Sequence, residues 1–125
     1  MKHTPQFLKI VTDAKERITE ISINEVAAKI ERNERFILVD VREDGEWITG
    51  HIKGAIHIGK GVIERDIERL VPDASEEIVL YCGGGYRSAL AADNLQKMGY
   101  TDVSSMDGGW RGWNDKSLPT EKPKV

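Results

Sequence analysis

Two uninterrupted apolar runs constrain the fold of this chain more than any other feature. Phe36-Ile37-Leu38-Val39-Asp40-Val41 is apolar up to its charge, and Ile78-Val79-Leu80-Tyr81 is apolar throughout. Neither alternates, so neither suits a strand with one face in water. Such runs fit strands covered on both faces, as in parallel sheets flanked by helices. Helical patterning lies between them, and strands alternating with helices imply crossover connections and an α/β fold, an open parallel sheet with helices on both faces. Ligands of such sheets bind outside the carboxyl ends of the strands. Asp40 and Cys82 are the residues that these two runs deliver there.

The remaining elements follow from caps and spacing. Thr4 and Pro5 form an N-cap and N1 pair, and Phe7, Val11, Ala14 and Ile18 recur at helical spacing, which predicts a short amphipathic helix over about residues 5–17. This stripe is expected to pack on the domain or on a partner. Ser22 and Glu25 read as a capping box, with Ile21 and Val26 as its hydrophobic staple, opening a helix to about Arg32. A short helical stretch spans about Glu43 to Thr49, and a brief strand about Ala55 to Ile58. Val62, Ile63, Ile67 and Leu70 mark a helix stopped by Pro72. A helix from about Arg87 to Met98 ends on Gly99, and Val103 to Met106 reads as a last short strand. The expected organisation is an N-terminal extension over 1–20, a domain over 21–116 and a polar tail over 117–125.

Composition bounds the function. A chain of 125 residues supports one compact core. With 18 basic and 21 acidic residues mixed along it, the net charge of −3 offers no stripe for a nucleic acid, so no polynucleotide partner is expected. The residues after Met1 lead into no apolar stretch of signal-peptide length and no segment is long enough to span a bilayer, so no membrane partner and a cytoplasmic address are expected. One cysteine excludes an internal disulfide, and the three histidines, His3, His51 and His57, read as surface or loop residues with no metal-ligand spacing. No metal and no cofactor are expected.

The chemistry concentrates in Tyr81-Cys82-Gly83-Gly84-Gly85-Tyr86-Arg87-Ser88, where the sole cysteine stands between a strand and a helix. Three glycines allow the backbone to curl so that several N–H groups converge on one point beside a helix N-terminus. A free thiol has a pKa of about 8.5, and such surroundings lower it. Cys82 is therefore the expected nucleophile, held as a thiolate. Arg87 has two roles open to it: holding an anionic donor with its planar fork, or bracing the loop by pairing with a carboxylate such as Asp40, which is favoured. Tyr86 is expected at the pocket mouth. Ser88 is expected to help cap the helix, and Asp40 with Arg42 to form a bracing pair.

These residues resemble the active loop of single-domain rhodaneses, a family of sulfurtransferases whose loop often reads Cys-x-x-Gly-x-Arg-Ser. Asp40-Val41-Arg42-Glu43, with Trp47 and Gly50-His51-Ile52-Lys53-Gly54-Ala55-Ile56, resembles the upstream motif of that family. Asp107-Gly108-Gly109-Trp110 followed by Trp113 resembles its C-terminal motif. The departures are Trp47 for Phe or Tyr, Lys53 for a common proline, Met106 for an aromatic residue, and Gly112 for an acidic residue or alanine. The resemblance implies a rhodanese-like fold and transfer of sulfane sulfur, from a donor such as thiosulfate, through a persulfide on Cys82. It implies that Gly83, Gly84, Gly85, Tyr86 and Arg87 bind the substrate. The chain has no second cysteine to resolve a persulfide. The acceptor is thus external: cyanide, a thiol or a protein cysteine.

Two rival readings fit a cysteine in such a loop. A tyrosine phosphatase or arsenate reductase loop resembles Cys-x-x-x-x-x-Arg, whereas four residues separate Cys82 from Arg87, and Tyr81 replaces the His that commonly precedes that cysteine. The other rival is a non-catalytic or regulatory module of the same fold, or a redox sensor whose thiolate acts through sulfenic acid. The intact loop around Cys82 favours the enzyme.

Overall fold

The two apolar runs become neighbouring strands at the centre of the sheet. The computed structural model describes residues 3–123. Residues 1, 2, 124 and 125, the outer ends of the expected extension and tail, lie outside the described residues. In chain order the elements are α1 (Pro5–Lys15), β1 (Thr19–Ile21), α2 (Ile23–Glu31), β2 (Ile37–Asp40), α3 (Asp44–Trp47), β3 (His51–Ile52) and β4 (Ile56–His57). They continue as α4 (Ile63–Leu70), β5 (Ile78–Tyr81), α5 (Tyr86–Lys97), β6 (Val103–Met106), α6 (Gly109–Asp115) and β7 (Thr120–Glu121).

The main sheet has the order β1-β6-β5-β2-β4, and every pairing in it is parallel. Its two faces explain why the runs do not alternate. Ile78, Leu80 and Cys82 point into one cluster with Ile63 and Ile67 of α4 and Ala91 and Leu95 of α5. Val79 and Tyr81 point into the other, with Val26 of α2, Met106 and Trp113 of α6. Each face is apolar because each is covered by helices. From β2 the chain crosses to β4 on one side and then to β5 on the other, so the strand order reverses between β2 and β5. The carboxyl ends flanking that reversal carry Asp40 and Cys82, where open α/β sheets form their clefts.

Asp40 is fully buried and Arg42 nearly so. The Arg42 backbone N–H donates to Asp40 Oδ1 at 2.9 Å, and its guanidinium donates to both carboxylate oxygens at 2.8 to 3.1 Å. Arg42 Nη2 also donates to the Gly50 carbonyl at 2.7 Å, and its head lies 4.5 Å from the Trp110 ring. This pair therefore holds the segment after β2 and the base of α6. It does not reach the Gly83–Arg87 loop that it was expected to brace.

Several local expectations need correction. Thr4 takes the extended N-cap conformation before Pro5, but its side chain makes no capping bond. Ser22 Oγ accepts the Glu25 N–H at 3.1 Å, while the return bond of a capping box is absent among the described residues. The staple pair Ile21 and Val26 shares one core cluster. On α4 only Ile63 and Ile67 are buried, and Val62 and Leu70 face outward. β1 was not expected, because two of its three residues are exposed and it pairs on one side only. Nor were β3 and β7, two-residue strands that pair antiparallel and place Thr120 and Glu121 of the expected tail against Ile52 and His51. That pairing buries His51, which stacks on Trp47 at 3.6 Å rather than lying at the surface.

No helix among the described residues is long and apolar enough to cross a membrane. Removing one partner of a buried ion pair strands the other charge, at about 3–5 kcal/mol. Asp40→Asn is expected to lower unfolding free energy by that order in urea titration with an unchanged m-value, and a loss below about 1 kcal/mol would contradict the structural role assigned to the pair.

Candidate active site

Helix α5 begins without a capping side chain. Its N-cap is Gly85, in the left-handed region at φ 104°, so the N–H groups of the first turn need another acceptor. The Cys82 sulfur is that acceptor. Sγ receives the Gly85 N–H at 3.1 Å and the Ser88 N–H at 3.4 Å, and the Ser88 hydroxyl stands 3.5 Å away. Ser88 thus meets the sulfur with both its backbone and its side chain, rather than capping the helix with its own oxygen. Its hydroxyl is in turn 2.8 Å from that of Ser105 on β6, a buried partner that the sequence reading did not single out.

The loop keeps its N–H groups free for sulfur because its carbonyls are taken elsewhere. Trp110 N–H donates to the Cys82 carbonyl at 2.8 Å, and Arg111 N–H to that of Gly83 at 3.1 Å. This close approach of α6 explains Asp107-Gly108-Gly109. Gly109 has φ 54°, and a Cβ on it would run into the Cys82 carbonyl oxygen and stand 2.8 Å from that of Gly83. The C-terminal motif is therefore the clamp that turns the loop inside out.

The same hydrogen bonds set the electrostatics. Burial pushes the Cys82 thiol up, but the Ser88 hydroxyl and the N–H groups of Ser88, Gly84 and Gly85 more than offset it, so the thiol titrates below its ordinary value. Burial, with the Asp40 charge behind it, holds the Tyr81 hydroxyl far above its usual range. That hydroxyl accepts the Ile52 N–H at 3.0 Å on the opposite face of the sheet from Sγ.

Arg87 pairs with a carboxylate, though not with Asp40. Its Nη1 donates to Glu46 Oε1 at 2.7 Å and its Nη2 to Oε2 at 3.2 Å, and Glu43 lies at 3.8 Å. Glu46 also accepts the Glu43 N–H at 3.1 Å, so the residue that helps cap α3 anchors the start of α5. The Arg87 hydrogen bonds hold the Glu46 carboxyl below its usual range. Glu46 was not foreseen, since α3 lies far from the loop in sequence.

Cys82 lies at the floor of a cavity of about 580 Å³ with Gly83, Gly84, Tyr86 and Arg87 among its lining residues. Gly85 is buried behind the loop. The wall also includes His3, Phe7, Glu43, Glu46, Trp110 and Arg111, none of which the residue pattern marks as part of a site. The described residues contain no group of three or more His, Cys, Asp or Glu arranged to hold a metal ion. The thiolate is the reactive form, so alkylation should accelerate as pH rises through the Cys82 pKa, with a midpoint below that of a free thiol. Ser88→Ala removes a donor to the anion and should move this midpoint in the alkaline direction, read from the thiolate ultraviolet absorbance against pH. An unchanged midpoint would mean that the hydroxyl does not stabilise the anion.

Comparison with known proteins agrees with this geometry. Residues 22–116 match the family model described as the rhodanese-like domain. The chain is 37% identical over 102 residues to YtwF of Bacillus subtilis, named as a candidate sulfurtransferase, covering 82% of this chain and 96% of that protein. It is 34% identical over 100 residues to YrkF of the same organism, named as a candidate sulfur carrier protein. That alignment covers 80% of this chain but only 53% of YrkF. A solved structure from Rhodopseudomonas palustris, of unknown function and described as a possible tyrosine phosphatase, superposes with a TM-score of 0.87 at 27% identity, over 97% of this chain and 98% of its own. With the family model spanning most of the chain and the cysteine loop standing at the carboxyl end of the central strand, this protein belongs to the rhodanese-like domain family.

Proposed function

We propose that this protein is a sulfurtransferase that moves sulfane sulfur through a persulfide on Cys82. The observation that carries the reading is the convergence of the Gly85 and Ser88 N–H groups and the Ser88 hydroxyl on one buried sulfur. Such a cradle favours an anion at Sγ. In the first step the Cys82 thiolate attacks the outer sulfur of a donor such as thiosulfate. The donor S–S bond breaks, its electron pair leaves with sulfite, and Cys82 carries the persulfide. An external thiophile, whether cyanide, a thiol or a protein cysteine, then takes the outer sulfur and returns Sγ to the thiolate. Gly83, Gly84, Gly85, Tyr86 and Arg87 form the donor site in this reading. Ser88 steadies the anion, and Glu46 sets the position of Arg87.

The description of the Rhodopseudomonas structure as a possible tyrosine phosphatase makes phosphate ester hydrolysis the rival. Loop size argues against it. With four residues between Cys82 and Arg87, the loop is one short of the phosphatase pattern. Its N–H groups close on a single sulfur atom, whereas a phosphate needs donors for several oxygens.

The test is direct. After incubation with thiosulfate, the intact mass of the protein should rise by one sulfur atom, and cyanide should then discharge it as thiocyanate. Cys82→Ser should show neither. Absence of the mass gain, or full turnover in the Ser variant, would refute the mechanism, and brisk hydrolysis of an aryl phosphate would favour the rival.

A further inference from the structure

The cavity above Cys82 is far larger than transfer to a small inorganic acceptor needs. At about 580 Å³ it has the size of a site for a drug-sized organic ligand, whereas a bound water occupies about 30 Å³. Its outer wall is aromatic and comes partly from outside the matched residues 22–116. His3 meets Tyr86 edge to face at 4.4 Å, and Phe7 stands 5.3 Å from His3 and 6.4 Å from Tyr86. This wall is fixed. Val11 and Ala14 bury α1 against the body of the protein, Lys15 lies 5.3 Å over the Tyr86 ring, and just beyond the helix Arg17 grips Asp93 of α5 at 2.8 and 3.0 Å.

The charges of the lining are unequal in availability. Arg87 is matched by Glu46 and flanked by Glu43. Arg111 has no carboxylate partner among the described residues. Its guanidinium lies against Gly84, in the space that a Cβ there would fill, so its charge sits directly over the loop. The cavity therefore offers, on the exposed side chain of Arg111, one cation without a carboxylate partner among the described residues, and an aromatic wall from His3, Phe7 and Tyr86.

We propose that α1 and Arg111 make this cavity the binding site of a small organic thiol bearing a carboxylate and an aromatic body, and that this thiol is the sulfur acceptor. The proposal rests on the persulfide reading given above. Arg111 receives the carboxylate, and His3, Phe7 and Tyr86 pack the body. The acceptor thiol loses its proton to solvent, and its sulfur attacks the outer sulfur of the Cys82 persulfide. The bond between the two persulfide sulfurs breaks, and its electron pair returns to Sγ. The acceptor leaves as a persulfide, with no external oxidant or reductant consumed. Arg111 and Phe7 act here by positioning the acceptor.

Three matched acceptors test this on protein first loaded with thiosulfate: N-benzoylcysteine, N-acetylcysteine and N-benzoylcysteinamide, compared at equal thiolate concentration. N-benzoylcysteine should exceed each of the others about tenfold in kcat/KM, the size of one aromatic contact or one charge-assisted bond. Phe7→Ala should erase the advantage of benzoyl over acetyl, and Arg111→Met that of acid over amide. Each is a ratio within one variant, which incomplete folding does not alter. Wild-type rates agreeing within about twofold would overturn the proposal, as would discrimination that survives both substitutions. Failure of the loading step itself would instead overturn the persulfide reading, and the mass measurement before acceptor addition separates the two.

Discussion

The site depends on one substitution of roles: the sulfur of Cys82 caps helix α5 because Gly85 has no side chain to do so. A helix start leaves several N–H groups unsatisfied, and here two of the groups around that turn end on Sγ. The helix therefore needs an acceptor at that point, and a thiolate is a better one than a thiol. Helix capping and stabilisation of the thiolate are the same interaction. Burial alone would have raised the thiol, and the hydrogen bonds reverse the sign.

Everything around the loop serves to keep those N–H groups pointed inward. The carbonyls of Cys82 and Gly83 are drawn away by the first turn of α6, which only glycine at position 109 allows to come so close. Arg87 is tied to α3 through Glu46, so the rim of the loop is held from the opposite side. Asp40 and Arg42 act one step further out, fixing the segment that leads into α3 and the ring of Trp110. The cysteine loop and the C-terminal motif thus meet around a single sulfur atom, while Asp40 and Arg42 hold the segments behind them. They come together because the strand order reverses between β2 and β5.

Much of this was legible from residue pattern. The two apolar runs predicted central parallel strands, and β2 and β5 are those strands. Cys82 before three glycines announced a cradle, and the cradle is there. Ser88 was read as a helix cap, but its hydroxyl turns to the sulfur because Ser105 on β6 meets it from behind, a contact across seventeen positions of chain. Arg87 was given a carboxylate, and the partner is Glu46 because Asp40 is saturated by Arg42 two residues away. The short strands β1, β3 and β7 left no periodic signal, since two or three residues at an edge are too few to alternate.

By itself the sequence determined the class of sheet, the place of its sole cysteine at a strand end and the conformational freedom of the loop that follows, because these depend on hydrophobic pattern and on glycine, both local properties. Only the tertiary structure decided which carboxylate neutralises Arg87, which lining cation has no carboxylate partner among the described residues, and what closes the cavity. Those outcomes turn on side chains brought within hydrogen-bond or ring-contact distance by crossovers and by the packing of α1 on α5. No spacing along the chain encodes such distances. Cys82 was visible from its neighbours, whereas Arg111, Phe7 and His3 became part of its surroundings only once the sheet had brought three distant segments to one edge.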